Sequence, residues 1–264
     1  MSTAAKYLSI FRANLRLNIS SAMEYRFSFW SQVLFMILNN SFMLFFWWVF
    51  FDNFQHVRGW GFNDILLLYA LSAGSFSIAC IFAGNSILLG DIITKGELDF
   101  YLLLPLDPLF NALTSRIQVS AVGDLAFALA LAPIALGLNP ASLLLFLLLL
   151  LSGGMVLTAF FTFIGSLTFF WGHNRGFANL AHNAIITFAT YPEPIFTGGV
   201  RLILYTLIPA AFVAHVPLGL LRQFTWDKAL SLLAATLILT LLARWIFARG
   251  VKKYESGNLM VTRL

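Results

Sequence analysis

This chain repeatedly runs the thickness of a bilayer without placing a charge. Residues 141 to 171, ASLLLFLLLLLSGGMVLTAFFTFIGSLTFFW, contain no Asp, Glu, Lys or Arg, and roughly 20 apolar residues are enough for a helix to cross the hydrocarbon core. Further runs lie near 27 to 51, 64 to 89, 112 to 136, 177 to 196 and 228 to 249, each bounded by charge, Pro or Gly. With no water to satisfy backbone N–H and C=O groups, such runs fold as helices. The expected fold is an all-α integral membrane protein, a single transmembrane domain over 1 to 264 with six spans. Composition agrees: 10% of residues are charged, against about 25% in a soluble domain. The 264 residues leave no room for a separate soluble catalytic domain.

One further run, residues 197 to 217, decides the topology. Gly198 and Gly199 lead into it, Pro209 interrupts it and Pro217 ends it. As a seventh span it would put Arg244, Arg249, Lys252, Lys253 and Arg263 opposite Lys6, Arg12, Arg16 and Arg26, against the positive-inside rule. As a re-entrant element it leaves both termini in the cytoplasm. Every Lys and Arg except Arg58, Arg201, Arg222 and Lys228 then faces inward. The tryptophans fit as an interfacial belt, Trp30, Trp171 and Trp245 at inner ends and Trp47, Trp48, Trp60 and Trp226 at outer ends. The first long apolar run exceeds a signal-peptide core, so the first span is expected to stay attached.

Before that span, Leu8, Phe11, Leu15, Ile19 and Ala22 recur at helical spacing with Arg12 and Arg16 beside them. This predicts an amphipathic helix in the cytoplasmic interface, in contact with membrane lipids. It serves as an anchor or as a transmitter of motion to the first span.

The segment 91 to 110, DIITKGELDFYLLLPLDPLF, interrupts the apolar runs on the cytoplasmic side. Asp91, Glu97, Asp99 and Asp107 outnumber Lys95 there, the reverse of what an inward loop needs for orientation. After Gly96, Glu97, Leu98, Asp99, Phe100 and Tyr101 can begin two turns of helix that Pro105 stops. Carboxylates in a first turn favour the helix dipole. A short rigid helix showing Phe100 and Tyr101 can also dock in a partner's groove.

That segment, with the C-terminal RGVKKYESGN, resembles the permease subunits of ABC type-2 transporters, in particular prokaryotic six-span permeases. The resemblance implies a coupling helix at 96 to 104 seated in a cytoplasmic ABC ATPase subunit. It also implies a second permease copy or a related permease as partner, and residence in a prokaryotic cytoplasmic membrane. Leu104 stands where relatives often carry a basic residue. No Gly-x-x-x-x-Gly-Lys-Ser/Thr loop occurs, so ATP hydrolysis is assigned to a separate subunit and this chain is read as a non-enzyme without cofactor or nucleic-acid partner.

His56, His173, His182 and His215 lack metal-ligand spacing, no Gly-x-Ser-x-Gly elbow is present, and Cys80 sits alone in an apolar run. Only Asp124 interrupts a span near its middle, where a carboxylate is either functional or hydrogen-bonded glue, with Asn39 or Asn40 at matching depth as partners. Glu193 is a further candidate for the translocation path, or a partner for Arg201. The resemblance further implies export of a lipid-like, polymeric or amphiphilic molecule; the alternative is a proton-coupled carrier using Asp124.

Overall fold

The computed structural model describes residues 3–54, 56 and 58–255. Among them no strand forms. Helix α1, Thr3–Glu24, turns at Tyr25 into α2, Arg26–Asn53. Helix α3, Phe62–Phe82, starts where Asp64 Oδ2 accepts the Gly61 N–H at 2.9 Å. Three short helices follow: α4 Leu89–Thr94, α5 Leu98–Leu102 and α6 Pro108–Thr114. Next come α7, Ala121–Leu136, and α8, Pro140–Ser166, which continues past Leu167 as α9, Thr168–Trp171. Asn139 caps α8 by accepting the Ala141 N–H, and Pro140 sits where no N–H is needed. The chain ends in α10 Arg175–Thr190, α11 Gly199–Tyr205, α12 His215–Arg222 and α13 Trp226–Val251.

Among the described residues four helices are long and apolar enough to cross a membrane: α2, α3, α8 with α9, and α13. A fifth exists if α11 and α12, bent by 59°, count as one span. The expected span 112 to 136 is instead α6 and α7 separated by an unwound stretch, and 177 to 196 becomes a 16-residue α10. Sixteen residues rise about 24 Å, less than a hydrocarbon core of about 30 Å. The span 64 to 89 likewise stops at Phe82.

These breaks have a common physical cause, because they face each other and satisfy each other's polar groups. Gln118 N–H donates to Cys80 O at 3.1 Å, and Asn85 Nδ2 donates to Ala112 O and Ser115 Oγ at 2.8 Å each. Asn18 of α1 donates to Ser115 O at 3.0 Å. Unwound backbone tolerates an apolar setting when protein supplies its partners. Single-residue hydropathy carries no trace of such pairing, so the runs looked continuous.

Helix α3 is the central element, packed against α7 and α8. A methyl at Gly153 would stand 2.2 Å from Ser75 Oγ and one at Gly154 2.4 Å from the Ile78 side chain, so α8 approaches α3 at glycine-only distance. Helix α2 packs on α3 and α7 and exposes most of its remaining surface. Of α1, the stripe turned to the protein is Tyr7, Phe11, Asn14 and Asn18, with Phe11 stacked on Phe82 and Tyr7 edge-on to Phe110. Leu8 and Ile19, grouped with Phe11 by periodicity, point outward.

Two ties fix the bent pair α11–α12. At its start, Arg201 pairs with Glu193 at 2.9 Å, and Arg58 donates to Pro194 O at 2.5 Å. At its end, Arg222 pairs with Asp64 at 2.6 Å and covers the Trp60 ring at 4.7 Å. Both ends therefore lie beside residues 58 to 64, at the start of α3. The middle, at Val213 O, lies 3.0 Å from where a Gly153 methyl would be, halfway along α8. Trp60 and Trp47 are buried rather than part of an exposed belt, Trp47 donating to Tyr69 OH at 3.1 Å. Trp30, Trp48, Trp171, Trp226 and Trp245 are exposed.

A second, smaller apolar core is separate from the bundle. Leu89, Ile92, Ile93, Leu98 and Phe247 are buried in it, with Leu109, Leu113, Phe169 and Tyr254 around them. It joins α4, α5, α6, α9 and the end of α13.

Candidate functional site

The segment 91 to 110 is mounted on that second core. Gly96, at φ +76°, makes a left-handed turn that a side chain would strain, and it redirects the chain from α4 into α5. Helix α5 is a little over one turn, shorter than the two turns expected over 96 to 104. Leu98 is fully buried in the core, and Tyr101 is half-buried with its hydroxyl 2.8 Å from Ser115 Oγ. Phe100 and Leu103, three residues apart on one face, are 64% and 86% exposed. Of the two aromatics singled out from sequence, Phe100 faces out and Tyr101 faces in. Leu103 was missed, though its i,i+3 spacing from Phe100 was visible.

The carboxylates mostly hold this segment in place. Asp91 faces Arg175 at 3.7 Å, and Asp107 accepts the Phe110 N–H at 2.9 Å while pairing with Arg244 of α13 at 3.1 Å. Glu97 is exposed, 4.0 Å from Lys95. Tyr254 lies against Asp99; burial first, then the neighbouring carboxylate, pushes the Tyr254 phenol up to about 12. The two sequence motifs behind the resemblance, GELDF and the start of YESGN, therefore meet in space. Ser256, Gly257 and Asn258 of that motif, and Arg263, lie outside the described residues. Pro105 is exposed in the bend after α5.

A second feature lies inside the bundle. A cavity of about 500 Å³ opens between α2, α3, α7 and α10. Asp124, Asn39 and Asn40 line it. Asp124 sits in the first turn of α7, not mid-helix, because the preceding stretch is unwound. The positive end of the α7 dipole thus faces the carboxylate. Asn40, halfway along α2, donates to Asp124 Oδ1 at 2.6 Å, while Oδ2 is buried with no hydrogen-bond partner among the described residues. Glu193 is not in the cavity; it pairs with Arg201 and accepts from Tyr205 OH at 3.0 Å.

Helix α10 supplies the wall that sequence reasoning missed. His182 is buried edge-on against Phe161, with ring centroids 4.6 Å apart and Nε2 unpartnered among the described residues. Asn179, Asn183 and Thr187 line the open side and are exposed. Their spacing of four was a legible signal, a polar stripe on one face of a helix otherwise apolar enough to pass for a span. Among the described residues no group of three His, Cys, Asp or Glu is placed to hold a metal ion.

Several bilayer-length helices around a cavity lined by Asp124 and a few amides, with a short helix held at the bundle's margin, define a multi-pass membrane protein of transporter type. The chain belongs to the ABC-2 transporter family: the family model described as ABC-2 family transporter protein matches residues 37–257. Permeases of this family generally pair with ABC ATPase subunits. Comparison with curated proteins gave no match, and comparison with solved structures gave none.

Proposed function

We propose that this chain is the permease subunit of an ATP-driven exporter in a prokaryotic cytoplasmic membrane. Two such chains, or this one and a related permease, enclose the path for a lipid-like, polymeric or amphiphilic substrate, and separate cytoplasmic ATPases supply the work. In this reading six elements cross the bilayer: α2, α3, the broken α6–α7, α8 with α9, α10 with the turn after it, and α13. The α11–α12 pair re-enters from outside, which is supported by the attachment of both its ends beside the start of α3. Both termini are then cytoplasmic.

The observation that carries the reading is the two-faced α5. Its inner face, Leu98 and Tyr101, is fixed to the second core and to Ser115, and its outer face leaves Phe100 and Leu103 largely exposed among the described residues. A rigid mount with an exposed apolar pair suits docking into a groove, where a few anchors carry most of the affinity. Because the mount includes the end of α13 and contacts α8 through α9, movement of a docked ATPase would reach two spans directly.

The test is co-purification of the ATPase with a Phe100→Ser, Leu103→Ser double variant. Loss of two anchors is expected to weaken docking by about 2 kcal/mol or more, roughly thirtyfold. Tyr101→Phe, which removes only the bond to Ser115, should dock nearly normally. Normal docking by the serine double variant would overturn the assignment of α5 as the coupling helix.

A further inference from the structure

We propose that the α2–α3–α7–α10 cavity is a binding site for a lipophilic monocation. Buried polar groups normally have partners, and each one without a protein partner calls for an explanation. Two such groups line this one cavity. Asp124 and His182 are both more than nine-tenths buried, and Asp124 Oδ2 and His182 Nε2 have no hydrogen-bond partner among the described residues.

Charge then selects the occupant. Among the described residues lining the cavity there is one carboxylate and no Lys or Arg. Asn40 already satisfies Oδ1, and Oδ2 is buried behind the cavity wall without a partner among the described residues, so the carboxylate's charge is only partly compensated. A cation in the cavity balances that charge at close range, whereas an anion would meet a like charge. The rest of the wall suits an apolar body, and it includes the aromatic rings of Tyr69, Phe76 and Phe161, whose faces attract cations. The volume lies within the roughly 300 to 1,000 Å³ typical of small-molecule pockets. Asn183 and Thr187 of the α10 wall are exposed, so the cavity is reached on their side.

This inference deepens the export reading and rests on it only for the direction of movement; binding itself needs no ATPase. The experiment therefore uses the full-length permease alone in lipid nanodiscs. The ligands are tetraphenylphosphonium, a rigid lipophilic cation, and tetraphenylborate, an anion of closely similar size and shape. Saturable binding of the cation is expected, together with a raised melting temperature. Asp124→Asn should weaken it at least about tenfold, while Asp227→Asn, in the first turn of α13 and outside the cavity, should leave it unchanged.

Should Asp124→Asn fail to fold, Thr187→Trp tests the same site without touching a buried group, by obstructing the entrance; loss of cation binding is again expected. Equal saturable binding of the borate, or cation binding indifferent to both Asp124→Asn and Thr187→Trp, would overturn the proposal. Loss of binding in these variants with ATPase docking intact supports the site. Cation binding without docking to any ATPase would keep the site and remove the export reading.

Discussion

Asp124 shows how a carboxylate is tolerated among apolar helices. Its Oδ1 is held by Asn40 at 2.6 Å, and it occupies the first turn of α7, where the helix dipole favours negative charge. Helix glue and cavity lining, alternatives from sequence, are here the work of two oxygens of one side chain. Asp124→Ala should strand Asn40 Nδ2 and cost about 1 to 3 kcal/mol, seen as a lower melting temperature of the detergent-purified chain. Asp124→Asn can still accept from Asn40 and should melt close to the parent protein. Equal destabilisation by both would assign the stabilisation to charge at the helix start. Export in ATP-driven inverted vesicles separates the two transport readings, because a proton-coupled carrier would not require ATP.

At the scale of elements, the α11–α12 pair and the two facing breaks carry most of the architecture's information. Pro209 and the paired glycines made the interruption at 197 to 217 legible, and the structure places that interruption against Gly153 in the middle of α8. A re-entrant pair returns to the side from which it started. With Cys80 replaced by Ala, single cysteines at Gly199 and Gln223 should both react with an impermeant maleimide added outside whole cells. Reaction of one from outside and the other only in inverted vesicles would make the pair a true span. The opposing breaks at Ala83–Ser86 and Ser115–Ser120 had no comparable signal, because Asn85 and Ser115 are ordinary residues until the fold brings them within 2.8 Å.

For the molecule as a whole, separate apolar cores imply separable behaviours. The bundle core surrounds the cavity, while the second core fixes α5 to the end of α13. Tyr254 closes the second core beside Asp99, and Tyr254→Ala should loosen the α5 mount without reaching the cavity. ATPase docking is expected to weaken several-fold while tetraphenylphosphonium affinity stays within about twofold of the parent, since distant sites without shared partners act nearly additively. A parallel loss of both would show that the two cores act as one.

The sequence by itself determined the solvent, the helical class and the family, and it singled out the segments that carry the proposals. Those follow from local chemistry: charge-free runs of bilayer length, a Gly-to-Pro segment with carboxylates, and a lone Asp within an apolar stretch. Tertiary structure alone decided which face of α5 is free, because Phe100 and Tyr101 are adjacent aromatics that differ only in what packs beneath them. It also decided that GELDF meets Tyr254 and that α10 turns its polar stripe toward Asp124. Contacts between residues far apart in the chain leave no mark on either partner's local composition, so hydropathy and spacing are silent about them until the chain has folded.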